Sequence, residues 1–269
     1  MNIAMIFAGG SGVRMGAGIP KQFLEINGKP ILVHTVQLFQ YHKMIDKIYI
    51  STLKDYIPYV EDLVSEYRLS KVAAVIPGGA TAQDSIYNCL QKGISENDPD
   101  SIVLLHDGVR PFVSYDVIEQ NIRTAKEKGN AITCTSCFET ILLSKDGEFV
   151  ESVPYRKDTY AAQAPQTFVL KDIIEAHNRI RQTPSGYENM VDNCTICKAL
   201  DIPVHMVPGN RGNIKVTTPE DVYIFRALLQ YRENEQAFGF GLTNETRARM
   251  NYFREETSGE DEAKEDRHE

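Results

Sequence analysis

Residues 7–23, FAGGSGVRMGAGIPKQF, set five glycines, Arg14 and Lys21 directly behind a short apolar run. Ala8, Gly9, Gly10 and Gly12 carry almost no side chain, so the backbone there can approach a ligand and turn its N–H groups toward an anion. Phosphate is the anion that suits such a loop. Two cations in one loop repel each other unless a ligand supplies the counter-charge, and a polyphosphate does so. Gly10, Gly12 and Gly16 also approximate the GxGxxxG spacing of a dinucleotide fingerprint. That motif needs the glycine turn to open straight into a helix, whereas Pro20 and the Asn27–Gly28 turn interrupt GIPKQFLEINGKP. No Walker GxxxxGK[ST] is present.

A second candidate is Asp107 in HDGVRPF, just past the apolar run SIVLL. Its carboxylate is a hard oxygen donor suited to Mg²⁺; the plainer alternative is a pairing with local backbone or with Arg110. His106 reads as a packing neighbour. The cysteines form two CxxC pairs, Cys134 with Cys137 and Cys194 with Cys197. Neither pair is shaped by glycine or proline into a zinc knuckle, and a strand sends residues three apart to opposite faces. They read as structural thiols.

The elements that must position these groups alternate along the chain. IAMIF, KIYIST, KVAAVIP and SIVLLH have strand length and are apolar without alternation; ILVHTVQLFQYH, YIPYVEDLVSEY, TAQDSIYNCLQKGI and YDVIEQNIRTAKEKG are amphipathic and longer. This is the pattern of a mostly parallel sheet covered on both faces, with ligands gathering at the carboxyl ends of its strands. ETILLSKDGEFVESV predicts two strands about the Asp146–Gly147 turn, an inserted β-hairpin that projects as an arm. PEDVYIFRALLQYRE predicts the last helix, with Pro219 and acids in its first turn. Residues 1–235 form one domain with residues 138–160 as its arm, and residues 236–269 form a C-terminal extension. Residues 254–269 carry −5 of the formal −8 and read as a disordered acidic tail. The remainder tolerates a local cationic pocket, while the overall charge gives no support to nucleic-acid binding. No run is long enough for a membrane helix and no signal segment is apparent, so the expected location is cytoplasmic.

Four motifs in order, AGGSGVRMGAGIPKQFLEINGKPIL, HDGVRPF, APQTF and GNIKVTTPEDV, resemble the polyol-phosphate cytidylyltransferases that make CDP-ribitol or CDP-methylerythritol. The likeness runs over about residues 1–230. It implies a Rossmann-like, three-layer α/β nucleotidyltransferase fold and transfer of CMP from CTP to a polyol phosphate, with Mg²⁺ as cofactor. By resemblance Arg14 and Lys21 are catalytic at the triphosphate and Asp107 holds the metal. Ala8, Gly9, Gly10, Gly78, Gly79 and Ser85 surround the nucleotide, while Arg110, Arg156 and Lys215 serve the substrates. Arg156 and Lys215 match positions that hold the acceptor phosphate. Thr140 matches a position that contacts the acceptor across a dimer interface, which implies a homodimer whose arm completes its neighbour's site.

Three positions depart from the pattern. Ala82 stands for a common arginine, leaving Gln83 as a neutral donor nearby; Ala164 stands for threonine and Gly212 for aspartate. Phe112 favours ribitol 5-phosphate as acceptor, whereas GNRGNIKVTTPEDV is closer to the methylerythritol phosphate pattern. Two further readings stay open: an NADP-linked oxidoreductase, from the glycine spacing, and a non-catalytic nucleotide-binding protein, from Ala82 and Ala164.

Overall fold

The chain is described by a computed structural model over residues 1–10, 19–237, 249 and 252. Gly12, Arg14 and Gly16 therefore lie outside the described residues, as does the acidic tail. The central sheet has seven strands in the order β5-β4-β1-β6-β8-β7-β9. These are β1 (Asn2–Ala8), β4 (Lys47–Thr52), β5 (Val72–Pro77), β6 (Ile102–Asp107), β7 (Asn130–Ser136), β8 (Tyr160–Val169) and β9 (Met206–Pro208). All pairs are parallel except those of β8, which runs antiparallel to both β6 and β7. The remaining strands, β2 (Glu25–Ile26) and β3 (Lys29–Pro30), make a small hairpin. Its turn residues Asn27 and Gly28 have φ of 51° and 70°, a left-handed pair that a two-residue hairpin requires.

The strands lack polar alternation because both faces are covered. Within β1, Ala4, Ile6 and Ala8 join one cluster with α1 (Ile31–Gln40), α2 (Ile57–Glu66) and α4 (Tyr115–Lys128). Ile3 and Met5 join the other, with α3 (Ala82–Glu96), α5 (Leu170–Arg181) and α6 (Asn193–Ala199). Burying each such side chain is worth about 1.5–3 kcal/mol, which holds the three layers together. The last helix, α7 (Pro219–Ala237), packs through Phe225 on Ile26, Ile31 and Phe112, tying the small hairpin to the sheet.

The arm leaves between β7 and β8, and its pairing is one antiparallel bridge, Leu143 to Ser152, where the sequence predicts two full strands. The turn itself is built as expected: Asp146 Oδ1 accepts from the Glu148 and Phe149 amides at 2.9 and 3.0 Å. Both flanks of the arm are exposed, so no face exists within the chain to bury a ladder's side chains. Of the extension, Tyr252 returns to the domain. Its hydroxyl meets Gln40 Nε2 at 3.0 Å and Ser70 Oγ at 2.8 Å, and its ring lies edge-on to Tyr41.

Candidate active site

At the carboxyl ends of β1 and β6 a cavity of about 510 Å³ opens, lined on one side by Ala8, Gly9, Gly10 and Lys21. The buried amide of Gln22 shapes that side: its Nε2 donates to the Ala8 carbonyl at 2.6 Å and to the Gly10 carbonyl at 3.1 Å. Lys21 opens the single 3₁₀ turn Lys21–Phe23, whose Phe23 ring is seated on Tyr56 and Tyr59. Lys21 is thereby laid along the glycine turn, its Cε 3.9 Å from where a Gly10 side chain would begin. Beyond residues 11–18 the described chain resumes in this short element and the β2–β3 hairpin, ahead of α1.

The second glycine pair closes the next wall. The Gly78 amide donates to Thr52 O at 2.7 Å and the Gly79 amide to Ser85 Oγ at 3.0 Å, while Ser85 Oγ donates to Thr81 O at 3.0 Å. A side chain on Gly79 would lie 2.3 Å from Asp84 Cβ, so only glycine fits. The helix α3 starts here at Ala82, presenting its N-terminal end to the cavity, where an anion is favoured. Gln83 is not the free donor expected beside Ala82. It is buried, and its Nε2 donates to the Met190 carbonyl at 3.0 Å.

Opposite stands Asp107. Arg110 Nε donates to Oδ2 and Lys215 Nζ to Oδ1, each at 2.8 Å. Burial alone would raise the carboxyl's pKa, but the charges of Lys215 and Arg110 outweigh it and hold the group at about 2. Each oxygen accepts one bond and keeps a lone pair, and the side chain is 28% exposed. An ionised, accessible oxygen donor fits Mg²⁺, which is commonly held by one or two carboxylates together with substrate phosphates. Lys215 sits on a loop locked from both ends. Before it, Asn213 is fully buried and donates to Ala164 O at 2.7 Å, and its carbonyl accepts from Arg110 Nη1 at 2.9 Å. After it, the Asp221 carboxylate receives the amides of Thr217 and Thr218 at 2.7 and 2.8 Å. His106 is a packing residue, its ring on Phe39 and its Nε2 on the Arg110 carbonyl at 3.1 Å.

Thr140 and Arg156 are not brought to this cavity. Both are exposed on the arm, which carries them outward from the sheet. Phe112, the residue that favours ribitol on sequence grounds, is buried edge-on to Phe225 at 5.0 Å and does not line the cavity. The five cysteines are free thiols; burial pushes Cys89 and Cys197 up to about 12, far from reactive thiolates. Gln22, Asn213 and Gln166, the last on the wall beside Asp192, are site-building residues that lie inside the quoted motifs but were given no role there.

Among the described lining residues, three cations (Lys21, Arg110, Lys215) face two carboxylates (Asp107, Asp192) in a glycine-walled cleft at the sheet's ligand edge. Such a cleft in this three-layer fold defines an α/β nucleotidyltransferase. The chain belongs to the IspD family: the model described as IspD, 2-C-methyl-D-erythritol 4-phosphate cytidylyltransferase, matches residues 2–231. It is 41% identical over 240 residues to the ribitol-5-phosphate cytidylyltransferase of Streptococcus agalactiae serotype III, covering 89% of this chain and 100% of that protein. To the 2-C-methyl-D-erythritol 4-phosphate cytidylyltransferase of Clostridium botulinum strain Langeland it is 36% identical over 229 residues, covering 85% and 97%. The crystal structure of 4-diphosphocytidyl-2C-methyl-D-erythritol synthase from Anaerococcus prevotii superposes with a TM-score of 0.74 at 29% identity, covering 86% of this chain and 96% of that one.

Proposed function

We propose that this enzyme transfers CMP from CTP to ribitol 5-phosphate, releasing pyrophosphate. The observation that carries the acceptor is the 41% identity over the full length of the streptococcal ribitol-5-phosphate enzyme, against 36% for the clostridial methylerythritol one. In the reaction an acceptor phosphate oxygen attacks the α-phosphorus of CTP in line. The bond from that phosphorus to the β-phosphate oxygen breaks, and pyrophosphate leaves with the electron pair. The backbone at Ala8, Gly9, Gly10, Gly78 and Gly79, with Ser85, cradles the nucleotide. Lys21, with Arg14, stands at the triphosphate, where positioning and fixed positive charge are what a protein contributes to such a transfer. Asp107 would hold Mg²⁺, which when bound neutralises phosphate charge; Arg110 and Lys215 present cations beside it.

The test is pyrophosphate release from CTP and Mg²⁺ with a panel of polyol phosphates. Ribitol 5-phosphate is expected to give a kcat/KM at least about ten-fold above that of 2-C-methyl-D-erythritol 4-phosphate. The reverse preference would reassign the acceptor, and no release with any acceptor would reject the reaction.

We read the working form as a homodimer in the cytoplasm, joined through the arm. Phe138, Phe149 and Tyr155 are 59%, 73% and 65% exposed on it, an apolar surface suited to a second copy. Thr140 and Arg156 would then complete the partner's cavity. Mixing an Arg156→Ala variant with a Lys21→Ala variant is expected to restore about a quarter of wild-type activity, since one site in each mixed dimer is intact. Absence of recovery under demonstrated subunit exchange would show that each chain works alone.

A further inference from the structure

Asp84 occupies an awkward position for an enzyme whose substrates are anions. It lies directly behind Gly79. Its Oδ2 accepts from the Thr81 amide at 3.2 Å and the Thr81 hydroxyl at 2.8 Å, closing a capping box at the start of α3. A carboxylate there stabilises the helix but opposes any anion approaching the same helix end. The other oxygen, Oδ1, accepts from Arg181 Nη1 at 3.0 Å.

Arg181 comes from the end of α5, far along the chain, and is held from several sides. Its guanidinium lies 4.3 Å from the Tyr87 ring centre and 5.5 Å from that of Tyr187. The Tyr187 hydroxyl donates to His177 Nδ1 at 2.6 Å, and His177 Nε2 donates to Asn193 Oδ1 at 3.0 Å. Asn193 Nδ2 donates to Gln166 Oε1 at 3.1 Å, and Gln166 Nε2 to Asp192 Oδ2 at 2.8 Å. From the Tyr187 hydroxyl to the Asp192 carboxylate every bond points the same way, so each polarises the next, and Arg181 lies against the Tyr187 ring at its start. The row joins the glycine turn to the opposite wall, where Gln166 and Asp192 line the cavity. An isolated ion pair with side chains 41% and 30% exposed contributes little to stability. Fixed at this spot, it places a cation against the carboxylate behind Gly79 at the start of α3.

We propose that Arg181 is a positioning residue for the nucleotide: it cancels the Asp84 charge behind Gly79 and keeps the turn in the shape that admits the ligand. The proposal rests on reading the cavity as a CTP site. Calorimetric titration of the full-length protein with CTP tests it. Arg181→Ala is expected to weaken CTP binding about ten-fold, with Arg181→Lys in between, because lysine keeps the charge but loses the fork. In an Asp84→Asn background the same Arg181→Ala change is expected to cost less than about two-fold, since the charge it answers is gone. Equal losses in both backgrounds, or an unchanged affinity, would overturn the proposal. If Arg181→Ala does not fold, Tyr187→Phe keeps the ring and removes only the hydroxyl. It is expected to weaken CTP binding about three-fold, and an unchanged affinity would again overturn the proposal. A wild-type chain that binds CTP yet transfers to no acceptor would reject the reaction while leaving this role standing; one that binds no CTP would overturn both.

Discussion

Lys21→Ala is expected to lower turnover about a hundred-fold, near 3 kcal/mol, while weakening CTP binding only a few-fold. The asymmetry follows from where the side chain is held. Gln22 staples the turn to the Ala8 and Gly10 carbonyls, Phe23 is seated between Tyr56 and Tyr59, and Lys21 lies along Gly10 as a consequence. A cation fixed before the substrate arrives gains most where negative charge grows, and in this transfer charge grows at the phosphorus under attack. On the proposed reading the ground-state triphosphate would also meet backbone amides, the start of α3 and the other cations that line the cavity, so one lysine would be a minor share of binding. Steady-state kcat set against a calorimetric Kd for CTP separates the two effects. Equal losses in both would assign Lys21 to ground-state binding alone.

The layers and the cavity's principal charges were legible because each is written locally. Uniformly apolar runs such as IAMIF and SIVLLH announce strands covered on both faces, and these became β1 and β6 at the centre of the sheet. Lys21, Asp107 and Lys215 stand in compact motifs, and the fold brings all three to one cavity. β8 was not legible as a strand set between β6 and β7. Its core residues Gln166 and Thr167 are polar, and they are tolerated only through partners distant in sequence, Asp192 and Asn121. Pro165 also breaks the strand pattern. The irregular register of β7 between Ile132 and Cys134 accommodates it, and Thr133 Oγ1 donates to the Pro165 carbonyl at 2.6 Å.

The supporting residues were hidden for the same reason. Asn213 works by holding Ala164 and Arg110, and Arg181 by holding Asp84, pairs that no window of sequence contains. The preference for ribitol 5-phosphate agrees with the relatives, although Phe112, which suggested it, does not line the cavity. Phe112 packs instead against Phe225 of α7 and beside Ile26 of the β2–β3 hairpin. Thr140 and Arg156 show the converse. The resemblance names both, yet the chain does not bring them to its own cavity.

Lowering the pH from 7 to about 4.5 is expected to remove a large part of the folding stability before Asp107 is protonated. His42, His106 and His177 are 2%, 1% and 0% exposed, and burial above all lowers each from 6.5 to about 4. Between those values the unfolded chain binds more protons than the folded one, so stability is complete above pH 6.5 and falls as the pH drops toward 4. Each histidine contributes up to about 3 kcal/mol over that window, and the three together approach the 5–15 kcal/mol that an ordinary domain has in all. The contacts explain why protonation is resisted. His42 Nδ1 accepts from the Met44 amide at 3.2 Å and His177 Nδ1 from the Tyr187 hydroxyl, bonds that a proton on either nitrogen would break. His106 Nδ1 is buried without a partner, beside Arg110 and Lys215. Asp107 titrates lower: its carboxyl is held at about 2 against an ordinary 3.8, so its contribution persists until the pH falls below 3.8. Urea unfolding followed by circular dichroism at pH 8, 6.5, 5.5 and 4.5 checks the effect, with the midpoint expected to fall steeply across the last three. A midpoint that is level down to pH 4.5 and drops only below 3.8 would place the acid sensitivity in the carboxylates, and His177→Gln should flatten the curve in proportion to its share.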